Sequence, residues 1–174
     1  VLAPELPGAD KILRLLRDRG IRVCLCHTDA SHRDLERAMA LGATHITHFY
    51  NGMRPLTHRD PGLVGGALAS EQLTAELICD LHHVHPLAIK VLMRCLGPNR
   101  VCLVTDAMRA AGCPPGKYII SEQEAVVRDG KVLIGANTLA GSVLTMDQAV
   151  RNMLSLGYDE RDVLTMATRT PARI

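Results

Sequence analysis

Aromatic side chains are almost missing from this chain: its 174 residues include no Trp, one Phe and three Tyr. Against that background the stretch "THITHFYNGMRP", residues 44–55, stands out, because it sets the single Phe beside a Tyr among two His, an Asn and an Arg. Long apolar runs are missing too. None approaches the roughly 20 residues that a membrane span needs, and the opening "VLAPELPGAD" lacks the basic start and apolar middle of a signal peptide. The sequence therefore predicts a cytoplasmic protein with no membrane partner. Charge of one sign is equally scarce. The formal net charge is +2 and the Lys and Arg residues are scattered, which argues against nucleic acid and requires any anion site to be local. No Gly-rich fingerprint follows any predicted strand, so a dinucleotide or phosphate-loop protein is disfavoured.

What is present is the composition of an ordinary globular domain, 47% hydrophobic and 22% charged. The six cysteines, Cys24, Cys26, Cys79, Cys95, Cys102 and Cys113, are even in number. A chain so rich in aliphatic residues needs no disulfide framework, and most of these thiols read as small buried hydrophobes kept reduced. The run "CLCH" raises zinc ligation through Cys24, Cys26 and His27. Strand alternation turns both cysteines away from His27, so this reading sets that site aside.

The hydrophobic period switches repeatedly between helix and strand. A helix is predicted from about Ala9 to Arg19, stopped by Gly20, then a strand in "IRVCLCH". Ser31 and Asp34 have capping-box spacing for a helix that ends at Gly42, and "ATHITH" is the next strand. After a Pro- and Gly-rich loop with room for another helix come "TAELICD" as strand, "HPLAIKVLMRCLG" as helix with Pro86 in its first turn, and "RVCLVTDA" as strand. "YIISEQEAVVRDGKVLIGANTLAG" reads as a β-hairpin insertion around its Asp-Gly turn. Two helices follow, one capped by Thr145 and Gln148, the other starting at Asp159. Strands separated by helices predict an α/β fold with a parallel sheet, either open and doubly wound or part of a closed barrel. Both architectures place chemistry at the carboxyl ends of the strands.

Each predicted parallel strand ends on a chemically competent residue: His27, then His48, then Asp80 to His83, then Asp106. Alternation puts His27 on a face with Val23 and Leu25, and His48 on a face with Ile46, leaving His45 on the other side. If those faces look into a barrel, His27 and His48 converge as ligands of Zn²⁺ or a similar divalent ion, and His45 packs toward the helices. Asp106 closes a strand apolar enough to be buried on both faces. A carboxylate there demands a metal, a donor or a proton to manage, and the proton role fits a hydrolase.

The segments "CHTDAS", "ATHITHFYNGMRPLTHRDPGLVGGAL", "ELICDLHHVHP", "LVTDAM" and "TLAGSVLTMDQAVRNM", in this order, resemble the N-acetylglucosamine-6-phosphate deacetylases of the amidohydrolase superfamily through nearly the whole chain. The resemblance implies a (β/α)₈ TIM-type barrel, of which residues 1–174 form a single domain covering about the second half, from strand four or five to strand eight, without the family's small β domain. It implies hydrolysis of the acetamide of N-acetylglucosamine 6-phosphate to glucosamine 6-phosphate and acetate, with a divalent metal, zinc, as cofactor. It matches His27 and His48 to metal ligands and Asp106 to the catalytic acid and base. It matches Asn51, Gly52, Arg59, Asp80, Leu81, His82, His83, Ala140, Gly141 and Ser142 to the substrate site, with the Arg59 guanidinium suited to phosphate. Three positions depart from the family pattern: Cys26 and Leu81 stand where Gly is usual, and Gly52 where Ala is common. The family's glutamate ligand and an oxyanion-polarising histidine are expected upstream of Val1. A truncated sequence is therefore expected, and with it a homo-oligomer or pairing with the missing N-terminal half, because half a barrel leaves open parallel edges. Another amidohydrolase, a deaminase or cyclic amidase, shares the barrel and the histidines, and a non-catalytic sugar-phosphate-binding half-barrel is the third reading.

Overall fold

Helix α1 (Ala9–Asp18) follows directly from its apolar stripe, with Leu13 fully buried against the sheet, and the chain leaves it at Gly20 in a left-handed turn. The computed structural model describes residues 1–120, 122–135 and 138–174. Strand β1 (Val23–Leu25) leads to α2 (His32–Ala40), whose capping box forms as predicted, Ser31 accepting from the Asp34 amide and Asp34 from that of Ser31. Then come β2 (Ala43–Ile46), α3 (Gly62–Ala69), β3 (Thr74–Ile78), α4 (Pro86–Leu96) and β4 (Val101–Val104). The Pro- and Gly-rich loop thus does hold a helix. With three glycines in eight residues, α3 has poor intrinsic propensity. It forms because five of its residues are buried.

The four strands are all parallel and lie in the order β1-β2-β3-β4. Leu2 adds a parallel bridge to Leu25 at the β1 edge. One face carries the register row Leu25, Ile46, Ala75 and Val101, with Leu77 opposite Leu103. These residues join Leu13, Leu35, Leu63, Ile89 and Leu92 of the helices in the main core. The other face carries Cys24 opposite His45, His45 opposite Thr74, and Glu76 opposite Cys102.

The segment expected to be a hairpin is larger. Strands β5 (Gly116–Ile120), β6 (Gln123–Arg128), β7 (Lys131–Ile134) and β8 (Thr138–Ser142) form a four-stranded antiparallel sheet with its own small core of Ala110, Ala125, Val127 and Val132. Ser121, Ala136 and Asn137 of that insertion lie outside the described residues. The predicted Asp-Gly turn is present, Asp129 and Gly130 having φ of 52° and 73° as a type I′ hairpin requires. The two outer strands, β5 and β8, escaped the sequence reading because they bury no apolar side chain fully, so no apolar face marks them.

Helices α5 (Met146–Ser155) and α6 (Glu160–Leu164) complete the chain with a π turn (Thr165–Arg169) and a 3₁₀ turn (Pro171–Arg173). Asp159 caps α6 by accepting from the Arg161 amide at 2.9 Å. The expected capping box at Thr145 and Gln148 does not form: Thr145 makes no side-chain cap, and Gln148 bonds Asn152 one turn on. No described helix is long and apolar enough to cross a membrane.

Candidate active site

Strand β1 stops at Leu25 and β2 at Ile46, so His27 and His48 lie just beyond the pleated ladders. Both adopt left-handed backbone, φ 42° and 31°, a conformation that non-Gly residues enter at a cost of roughly 1–2 kcal/mol. This turn, rather than alternation, brings the two rings together. The faces that alternation assigns to them, those of Leu25 and Ile46, pack against helices. His45 corrects the expectation in the same way. It sits on the opposite face, 2% exposed, with Nδ1 2.7 Å from Thr74 Oγ1 and Nε2 3.2 Å from Glu76 Oε1.

The His27 and His48 Nε2 atoms are 3.1 Å apart with the rings edge to face. Two imidazoles on one tetrahedral ion with bonds of about 2.0–2.1 Å place their nitrogens about 3.3 Å apart, so the pair fits a divalent cation with little movement. His48 is 7% exposed and its Nδ1 is buried with no hydrogen-bond partner among the described residues, whereas His27 is exposed. Gly52, at φ 63°, packs its backbone under the His27 ring: a Cβ there would lie 2.9 Å from Nδ1. Cys26, set aside on alternation, in fact offers its sulfur to the same group. Its ligand atom and those of His27 and His48 all lie within 4.8 Å of one another.

Glu76, a lone carboxylate in the apolar strand "TAELIC", underlies the pair. Its Oε2 accepts the His48 amide at 3.1 Å while its Oε1 faces His45, and its own carbonyl accepts the Phe49 amide at 2.8 Å. Burial pushes this carboxyl up, but the His45 and His48 hydrogen bonds outweigh it and hold the group below its ordinary value. The sequence did carry a signal for Glu76, since a charge among buried aliphatics needs a partner.

Asp106 follows β4, also left-handed at φ 47°. It is exposed, so desolvation gives no reason for its importance; its place does. His27, His48, Asn51, Gly52, His83 and Asp106 line one cavity of about 520 Å³ together with Ala140 and Gly141. Ala107, Met108, Ile120, Thr138 and Leu139 line it as well, and sequence reasoning passed over all five. The antiparallel sheet is thus the roof. Its last strand is tied to the end of β4, the Ser142 amide donating to Asp106 O at 2.8 Å and the Met108 amide to Ser142 O at 2.9 Å. Ser142 itself is buried, its hydroxyl donating to Thr105 O, and it anchors the roof rather than lining the cavity.

Asp80, Leu81 and His82 line a neighbouring cavity instead. Asp80 reaches the site through His83, accepting from its Nδ1 at 2.6 Å and from the His82 and His83 amides at 2.9 and 2.8 Å. Burial alone would raise this carboxyl, and the hydrogen bonds from His83 and its amide more than offset that, so it stays below the ordinary aspartate value. A depressed carboxyl stabilises the fold above the unfolded-chain value, roughly 3.9, and that contribution disappears as pH falls through the folded value. Wild type should therefore be more stable than Asp80→Asn at neutral pH, and thermal melts should show the difference shrinking below about pH 4.

Leu81 occupies φ 64° while packing against the main core. Left-handed strain of about 1–2 kcal/mol opposes a comparable gain from its partial burial. Leu81→Gly should accordingly stay within about 1 kcal/mol of wild type in urea melts, while the β-branched Leu81→Ile loses more. Arg59 is not brought to the cavity. It is exposed on the 54–62 loop, which Arg54 pins through a bidentate pair with Asp29 (2.9 and 2.8 Å) and a bond to Asp60. Among the described residues Arg59 has no ion-pair partner.

Fold and site together define a mixed α/β protein with two histidines and a carboxylate gathered at the carboxyl ends of a parallel sheet, where α/β folds place their functional residues. The chain belongs to the N-acetylglucosamine-6-phosphate deacetylase family. It is 45% identical over 172 residues to N-acetylglucosamine-6-phosphate deacetylase of Vibrio furnissii, covering 98% of this chain and 43% of the relative. It is 42% identical over 174 residues to N-acetylgalactosamine-6-phosphate deacetylase of Escherichia coli O157:H7, covering 99% and 46%. A mutant N-acetyl-D-glucosamine-6-phosphate deacetylase from Mycobacterium smegmatis, solved in complex with N-acetyl-D-glucosamine-6-phosphate, superimposes with a TM-score of 0.91 at 34% identity over 99% of this chain and 47% of that one. The chain thus spans under half the length of these relatives. No protein-family model matches it.

Proposed function

We propose that the protein carrying this chain hydrolyses the acetamide of an N-acetylhexosamine 6-phosphate, N-acetylglucosamine 6-phosphate first, to the free amino sugar phosphate and acetate. The observation that carries this reading is the single cavity shared by the His27–His48 nitrogen pair and the Asp106 carboxylate. His27 and His48 hold a divalent ion, zinc being the ion that two neutral imidazoles suit. Such an ion, when bound, lowers the pKa of a water and polarises the amide carbonyl. Asp106 takes the proton from the attacking water and delivers it to the departing nitrogen, so that amide plus water becomes amine plus acetate. His83, its ring fixed by Asp80, and the Asn51–Gly52 turn orient the sugar from below, and the Ala140–Gly141 strand covers it and excludes water. Arg59 binds the phosphate only if its exposed loop is brought to a site by movement or by another copy.

The four strands are adjacent in chain order, as consecutive barrel strands must be. We read them as strands five to eight of a TIM-type barrel, with Leu2 ending the fourth. On this reading a homo-oligomer or the rest of the barrel covers their edges, and the reaction is cytoplasmic, which the unpaired cysteines and a phosphorylated substrate support. Acetate release from N-acetylglucosamine 6-phosphate and its galactosamine epimer, measured with added Zn²⁺, is the test. Turnover of the glucosamine compound is expected to exceed that of the epimer. Turnover of neither, in protein that retains the metal, would refute the assignment.

A further inference from the structure

We propose that Cys26 is a third protein ligand, a thiolate, for the divalent ion at His27 and His48. This inference rests on the reading of those histidines as metal ligands and adds a donor to them. Among the described residues, Cys26, His27 and His48 are the one group of three such side chains whose ligand atoms cluster this closely, all within 4.8 Å. The two imidazole nitrogens already stand at a spacing that suits a shared ion. A sulfur bonded at about 2.3 Å in the same tetrahedron sits about 3.6 Å from each nitrogen, so the Cys26 Sγ needs to move in by about 1 Å, within reach of a side-chain rotation.

The backbone favours that movement. Cys26 follows the end of β1, held at its amide by Leu2 O at 3.3 Å, and it is only half-buried. Gly52 leaves no side chain beneath the His27 ring, and the ring is exposed and free to settle around an ion. Cys24 lies one pleat back on the same strand and is not part of the group. On binding, the thiol releases its proton to solvent and the sulfur lone pair forms the bond, so metal plus thiol becomes metal thiolate plus a proton. A sulfur and two imidazoles select zinc and its soft relatives over magnesium or calcium, which prefer oxygen.

Cadmium titration in a background with the exposed Cys95 and Cys113 changed to Ser tests this, read by the ultraviolet thiolate-to-cadmium charge-transfer band. The band should saturate at about one equivalent, persist in Cys24→Ser and vanish in Cys26→Ser, whose affinity for Zn²⁺ should fall at least about tenfold. Circular dichroism checks that the near-isosteric Ser variants are folded. A band that survives Cys26→Ser, or tight cadmium binding with no band, overturns the thiolate while leaving the histidine site standing. Unchanged binding in His48→Ala overturns both the thiolate and the metal reading beneath it.

Discussion

Under the proposed reaction, Asp106→Asn is expected to lower kcat for acetamide hydrolysis by about 10²–10⁴-fold, the range for loss of a positioned general base, while the melting temperature stays at the wild-type value. Stability is expected to hold for two reasons. The Asp106 side chain is exposed and makes no hydrogen bond or ion pair among the described residues, so little packing or pairing is given up. Its backbone, at φ 47°, lies in the region that Asn enters more readily than any other side chain except Gly. Asp106→Ala is the poorer probe, because Ala strains this turn and mixes a folding effect with a chemical one. Steady-state kinetics on the metal-loaded protein, with melts alongside, separates the two. Wild-type kcat in the folded Asn variant would remove Asp106 from the proton path.

Glu76→Ala is expected to cost about 2–6 kcal/mol of stability and to weaken metal binding roughly 10–100-fold. The first figure follows from leaving two groups without their acceptor, the His48 amide and the His45 ring, at about 1–3 kcal/mol each. The second follows from position, since loss of an outer partner that orients a ligand typically has that effect on affinity. Here the carboxylate holds the backbone of His48 at the point where it turns left-handed, and releasing that amide lets the ring drift from His27. Glu76→Gln keeps an acceptor for the amide and should recover most of the stability. Urea melts and zinc titrations of the two variants check the prediction. An Ala variant with undiminished metal affinity would show that His48 is held by its surroundings without Glu76.

How legible this was from the letters differs from residue to residue. The helix of residues 32–40 was readable because Ser31 and Asp34 are close in sequence and their bonds are local. Helix α3 was not, because its glycines argue against it and only burial under its neighbours holds it. His27 and His48 were picked out by their position at strand ends, yet alternation gave the wrong reason for their meeting and dismissed Cys26; it set His45 correctly on the face opposite Ile46, but taking the Ile46 face as the barrel interior wrongly aimed His45 at the helices.

The sequence by itself determined the parallel α/β order, the strand ends that carry His27, His48, His83 and Asp106, and the Asp-Gly turn, since each rests on period, local capping or turn chemistry within a few residues. Only the tertiary structure decided that the insertion is a four-stranded roof, that Asp80 acts through His83, that Arg59 stays outside the cavity and that Glu76 holds His48. Those outcomes depend on contacts between distant segments and on left-handed turns at non-glycine residues, which cost energy locally and exist only because the surrounding packing enforces them.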